Sequence, residues 1–151
     1  MPGNRHGSRT RRRRTRGQAL VEFAIVLPVF MLVLAGILDF GFLLYSRITL
    51  ISAARDAARV SISVADKTTI PAIADSSVKG SITGLTPSAV TTTVTCVPAI
   101  GKTTCAFTGS SNLAAAGDSV KVVVTYPYHS FFPLFFGQVI TIGATVQMVV
   151  E

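Results

Sequence analysis

Between Gly17 and Phe23 the chain reads Gly-Gln-Ala-Leu-Val-Glu-Phe, so a single carboxylate, Glu22, follows a glycine by five residues and stands at the head of an apolar run. A charge at the centre of a membrane-spanning helix costs about 2.5 kcal/mol or more, and less near the interface, so such a group usually has a partner or a purpose. A carboxylate in apolar surroundings needs a cation. Other groups able to do chemistry are sparse. The histidines are His6 and His129, and neither stands beside a nucleophile or carboxylate motif, so no catalytic residue is assigned. Cys96 and Cys105 have eight residues between them and no second pair, which fits one disulfide in an oxidising compartment and not a metal site. The glycines at 80, 84, 101, 109 and 117 are spaced like turns, with no phosphate loop or dinucleotide fingerprint. No cofactor and no metal follow from this inventory.

The net charge of +7 suggests nucleic acid until it is located. Arg5, Arg9, Arg11, Arg12, Arg13, Arg14 and Arg16 all precede residue 17, while from Gln18 onward seven basic residues face seven acids. The excess therefore belongs to a leader of Arg, Gly, Pro and Ser over residues 1–17, expected to be disordered because nothing apolar offsets the entropy of ordering it. Without interleaved aromatics or a binding fold, four consecutive arginines read as a topology and anionic-lipid signal and not as a nucleic-acid site.

The elements that must position these residues begin with the helix carrying Glu22. Residues 18–38 hold one charge, and Phe23 to Leu38 are uninterrupted apolar or small. At about 1.5 Å per residue the segment spans roughly 32 Å, one hydrocarbon core. The arginines ahead of it place the N-terminus in the cytoplasm and the rest of the chain outside. Pro28 is expected to kink the helix, and Asp39 to serve as an interfacial anchor beside Phe40, Phe42 and Tyr45. Leu44, Ile48, Ile51, Ala54, Ala58 and Ile62 recur at helical steps, with Arg47, Arg55, Asp56 and Arg59 on other faces, so the helix is expected to run to about residue 63. Asp56 can reach Arg59 one turn on.

A short second helix is expected from Pro71 to about Gly80. The alternation VTTTVTCV, a Pro/Gly turn and TCAFT read as a hairpin with Cys96 and Cys105 near its ends. Val120, Val122, Val124, Tyr126 and Tyr128 share one strand face, and Ile140, Ile142, Ala144, Val146, Met148 and Val150 another. The expected fold is α+β: a long N-terminal transmembrane helix continuing into a small exported domain with a short helix and an antiparallel sheet of three to five strands. The divisions are a leader over 1–17, a spanning helix over 18–45 and an exported domain over 46–151. The run Phe131 to Phe136 is expected to close the core of that domain, its rival reading being an exposed patch for a partner or the membrane surface.

Gly17, four residues, then Glu22 and Phe23 resembles the cleavage site of type IV prepilins, in which a membrane aspartyl peptidase cuts after the glycine. The longer run RGQALVEFAIVLP, GILDFG over 36–41 and AARDAAR over 53–59 is similar to the TadE-like family of tight-adherence (Flp) pilus assembly, over Arg16 to about Arg59 and more weakly at VKVVVTYPY and ATVQMVVE. The resemblance implies a pilin-like fold and cleavage between Gly17 and Gln18. It further implies that Glu22 pairs with the new amine of Gln18 on a neighbouring subunit. Implied partners are other pilin or pseudopilin subunits, the prepilin peptidase and inner-membrane assembly machinery. Gly17, Gln18, Glu22 and Phe23 form the expected processing site, and Glu22, Pro28 and Asp39 the assembly residues.

The resulting expectation is a minor pilin or pseudopilin that acts by lateral helix packing, resides in the bacterial inner membrane and is not an enzyme. Two alternatives stand beside it: an uncleaved signal-anchored protein whose exported domain binds an envelope ligand, and a protein exported by a twin-arginine signal and cut after Ala35.

Overall fold

The computed structural model describes residues 11–108, 113–131 and 139–150. The fold is α+β, with two α-helices and three strands among the described residues. The first helix, α1, is Arg11–Ser63, and it passes Pro28 without a break in its helical assignment. It starts seven residues before Gln18, so the disordered-leader expectation fails for 11–17: arginine is a good helix former, and a helix already nucleated downstream extends readily into such a run. The expected end near residue 63 is met.

Two compact units divide the chain, Met1–Leu38 and Asp39–Glu151. In the first, the apolar residues of α1 face outward, among them Phe23, Ile25, Val29 and Ile37. Its length and composition suffice to cross a bilayer.

In the second unit, α1 buries Leu50, Ala53, Ala54, Ala57 and Ala58 in the core, at the spacing that puts residues on one helix face. Of the stripe expected from sequence, Ala54 and Ala58 are buried and Ile51 and Ile62 pack against the core, whereas Leu44 and Ile48 are exposed and Ser46 and Leu50 point inward instead. Asp56 and Arg59 border a shallow hollow with Val60 and Ser63, and the expected ion pair between them does not form.

After one 3-10 turn at Lys67–Thr69, capped by the Asp66 carboxylate, comes α2, Ile70–Ser81, with Pro71 in its first turn. Its buried positions, Ile70, Ala74 and Val78, lie four apart. The strands are β1 (Thr91–Val97), β2 (Ser119–His129) and β3 (Val139–Val149), antiparallel in the order β1-β2-β3. Thr91 faces Thr125 and Val97 faces Ser119; Ser119 also faces Val149, and His129 faces Val139. Pro127 lies past the end of β1, where a missing N–H leaves no ladder bond unmade on that side. Val120, Val122, Val124 and Tyr128 of β2 and Ile142 and Ala144 of β3 fill the core from the sheet face the alternation predicts.

The expected hairpin is corrected. The partner of β1 is β2, and the TCAFT segment forms no strand; Ala106 makes a single bridge to Leu113. A ladder of seven pairs with the valine-rich β2 buries more than the short TCAFT segment could. Phe131 is 71% exposed, so it does not close the core as expected. The rest of that run, Phe132 to Phe136, lies outside the described residues.

Candidate functional site

At the junction, Gly17, Gln18, Glu22 and Phe23 are all exposed on α1. Residues four apart on a helix are neighbours, and Gln18 Nε2 donates to Glu22 Oε1 at 3.1 Å. The residue after the glycine therefore lies one helical turn from the carboxylate. Gly17 has open space around the position a Cβ would take. Glycine costs a helix interior about 1 kcal/mol relative to alanine, so Gly17 is also a local weak point in α1.

Asp39 departs most from its sequence reading. Expected as an interfacial anchor, it is 2% exposed and held by groups far along the chain. Its Oδ1 accepts from the Tyr128 hydroxyl at 2.7 Å and from the Phe131 N–H at 3.3 Å, and its Oδ2 accepts from the Ser130 hydroxyl. Tyr128 also reaches the Asp39 carbonyl at 3.1 Å. Burial, and next the bond to Asp39, push the Tyr128 phenol up to about 12. This knot ties the C-terminal end of β2 to α1. Nothing local in the sequence announces it, because Tyr128 is 89 residues from Asp39; a tyrosine closing the apolar face of β2 beside a serine is the one clue available.

The opposite end of the sheet is tied differently. Cys96 and Cys105 form the disulfide that their spacing suggested, Cα–Cα 5.7 Å. Beside it the fully buried Asp118 accepts from the backbone N–H of Ala99 and of Ala115, both at 2.9 Å, and from Lys102 Nζ at 3.1 Å. The two backbone donors, ahead of Lys102, hold its carboxyl below the usual carboxylate range. Gly101, with φ of 92°, turns the enclosed loop, a conformation that glycine takes at no steric cost. Cys96, Cys105 and Asp118 converge closely enough to hold an ion, yet the sulfurs are bonded to one another and offer no thiolate. The adjoining hollow, about 270 Å³ and lined by Lys102, Thr103, Thr104 and Leu113 among others, brings together no nucleophile and base.

Pro28 stands within α1. His129 ends β2 exposed, and His6 lies outside the described residues. No curated protein and no solved structure matches the chain. Residues 17–59, from the glycine of the junction to Arg59, match the family model described as TadE-like protein.

Proposed function

We propose that the chain is a minor pilin or pseudopilin-like component of tight-adherence pilus assembly, held in the bacterial inner membrane with its N-terminus inside, and processed between Gly17 and Gln18 by a prepilin peptidase. The carrying observation is that the TadE-like segment begins at Gly17 and places Glu22 one exposed helical turn from Gln18. Cleavage would give Gln18 a cationic amine, and a neighbouring subunit's Glu22 embedded in lipid would gain the counter-charge it needs. Assembly then proceeds by lateral packing of apolar helices and not by catalysis, with other pilin subunits and the inner-membrane assembly machinery as partners.

Intact mass of protein from assembled pili is expected to lack residues 1–17 when the peptidase is present and to include them when it is absent. Glu22→Gln is expected to lower piliation by about tenfold or more, since removing one partner of a buried ion pair costs about 3–5 kcal/mol. Undiminished piliation, or an arginine leader still attached in working pili, would sink the reading. The uncleaved-anchor alternative draws support from α1 passing through Gly17 and Gln18 as unbroken helix; membrane-extracted protein beginning at Met1 or Pro2 would favour it. Release after Ala35 would divide the TadE-like segment, which speaks against it.

A further inference from the structure

Burial along α1 is inverted over one short stretch. From Leu50 onward the helix behaves as a helix beside water, with alanines and leucine inside and Arg55, Asp56 and Arg59 outside. From Asp39 to Ile48 it mostly does the reverse, apart from Leu43, which packs against the core, and Arg47, which stays exposed. Asp39 and Ser46 are buried at 2% and 4%, while Phe40, Phe42, Leu44, Tyr45 and Ile48 are exposed, Ile48 at 64%. The hydroxyls are satisfied as in an apolar medium, with Ser46 Oγ donating to the Phe42 carbonyl at 2.8 Å and Thr49 Oγ1 to that of Tyr45 at 3.0 Å. Tyr45 donates to the Thr83 carbonyl at 3.2 Å.

The C-terminal end of β2 belongs to the same surface. The Asp39 knot fixes Ser130 and the Phe131 N–H, and the Phe131 ring lies against Phe42 with centroids 5.9 Å apart. Both rings stay more than half exposed. Charge is missing on this side: between Glu22 and Arg47 the one charged residue is Asp39, and residues 130–150 contain no Asp, Glu, Lys or Arg. A water-facing surface that buries its carboxylate and serine and presents five large apolar side chains costs free energy at every position. Facing a headgroup–acyl boundary, the same surface is favourable, because aromatics settle there and long basic side chains such as Arg47 reach out of it.

We infer that the exported unit is seated in the outer interface of the bilayer, with Phe131 and Phe42 forming an apolar foot that inserts at the headgroup–acyl boundary beside α1. The inference rests on the reading that α1 crosses a bilayer, and it adds a second point of lipid contact contributed by β2. Asp39 has a positioning role here: its carboxylate holds the foot and is itself covered by the groups it binds.

The chain has no tryptophan, so single substitutions give unambiguous reporters. Full-length protein carrying Phe131→Trp, Val33→Trp or Ile100→Trp is reconstituted into phosphatidylcholine–phosphatidylglycerol vesicles, with and without lipids brominated near the headgroup end of the acyl chain. Ile100 is wholly exposed in the disulfide loop, at the far end of the sheet from Tyr128, and serves as the water-facing control. Brominated lipid is expected to quench the Phe131→Trp emission by about twofold or more and to leave Ile100→Trp unchanged, since interfacial aromatics lie at headgroup level. Asp39→Asn in the Phe131→Trp background is expected to reduce that quenching while Val33→Trp stays quenched. If Val33→Trp is quenched and Phe131→Trp is not, the foot is overturned and the spanning helix stands. If neither is quenched, the membrane reading falls and takes the foot with it. Shielding of Phe131→Trp only on addition of other pilin subunits overturns the lipid contact in favour of a protein partner.

Discussion

Two carboxylates carry most of the chemistry at the residue scale, and their surroundings separate their roles. Glu22 is exposed on α1 with the neighbouring Gln18 amide as its partner, whereas Asp39 is enclosed by a phenol, a hydroxyl and a backbone amide. Tyr128→Phe leaves the Asp39 carboxylate short of one donor and is expected to destabilise the unit from Asp39 onward by about 1–3 kcal/mol, read from urea unfolding of the detergent-solubilised chain. The sign of the pH dependence follows from the raised phenol. A folded Tyr128 near 12 against an unfolded value of about 10 binds the extra proton in the native state, so its contribution is whole below about pH 10 and is lost as pH rises toward 12. A tyrosinate absorbance step near pH 12 that disappears in Tyr128→Phe is the expected result; its persistence in the variant would refute the assignment. Glu22 was legible in sequence because an isolated charge in an apolar run is conspicuous. The role of Asp39 was not, because the same local signal fits a solvated anchor and a buried acceptor equally, and what decides between them sits on β2.

Elements were read well where periodicity persists and poorly where a cross-link interrupts it. The end of α1, the start of α2 beside Pro71 and the inward faces of β2 and β3 follow from spacing alone. The failures share one cause: partner choice is a tertiary decision. TCAFT carries strand-like residues, but β2 is longer and offers β1 a better surface, so the segment between the cysteines and β2 is left to be held by the disulfide and by Asp118. The expected helix stripe holds at Ala54 and Ala58 and fails at Leu44 and Ile48, which stay exposed. For a closed loop of this size, Cys96→Ser with Cys105→Ser is expected to cost about 2–3 kcal/mol by the chain-entropy account. The strands should survive, since Asp118 still binds Ala99 and Ala115. Its lowered carboxyl stabilises the fold above the ordinary carboxylate value and ceases to do so as pH falls through the folded one. The double variant is therefore expected to unfold at milder acid than the parent, below about pH 4, and equal acid midpoints would show that the disulfide and Asp118 do not support the same loop.

For the whole molecule, the proposed processing and assembly both rest on orientation across the membrane, which charge placement is expected to set. Seven arginines precede Gly17, and the first basic residues beyond the apolar run are Arg47, Arg55 and Arg59. Basic residues near a span stay on the cytoplasmic side, and Asp or Glu contribute little to the choice. Replacing the seven arginines with glutamine reverses the bias, leaving Arg47, Arg55 and Arg59 as the nearest positive charges. A substantial fraction of the chains is then expected to insert with residues 39–151 in the cytoplasm. The disulfide reports the outcome without a fused reporter. In an oxidising exterior Cys96 and Cys105 are bonded, whereas cytoplasmic thiol systems keep them reduced. Maleimide labelling after denaturation, without added reductant, should therefore be near zero for the parent and rise in the glutamine variant by the fraction inverted. Protease added to spheroplasts should digest the exported unit of the parent and spare the labelled fraction of the variant. Labelling of the parent to the same extent would mean that the arginine leader does not determine orientation, and a cut after Gly17, made by a peptidase acting at the cytoplasmic face, would lose its topological basis.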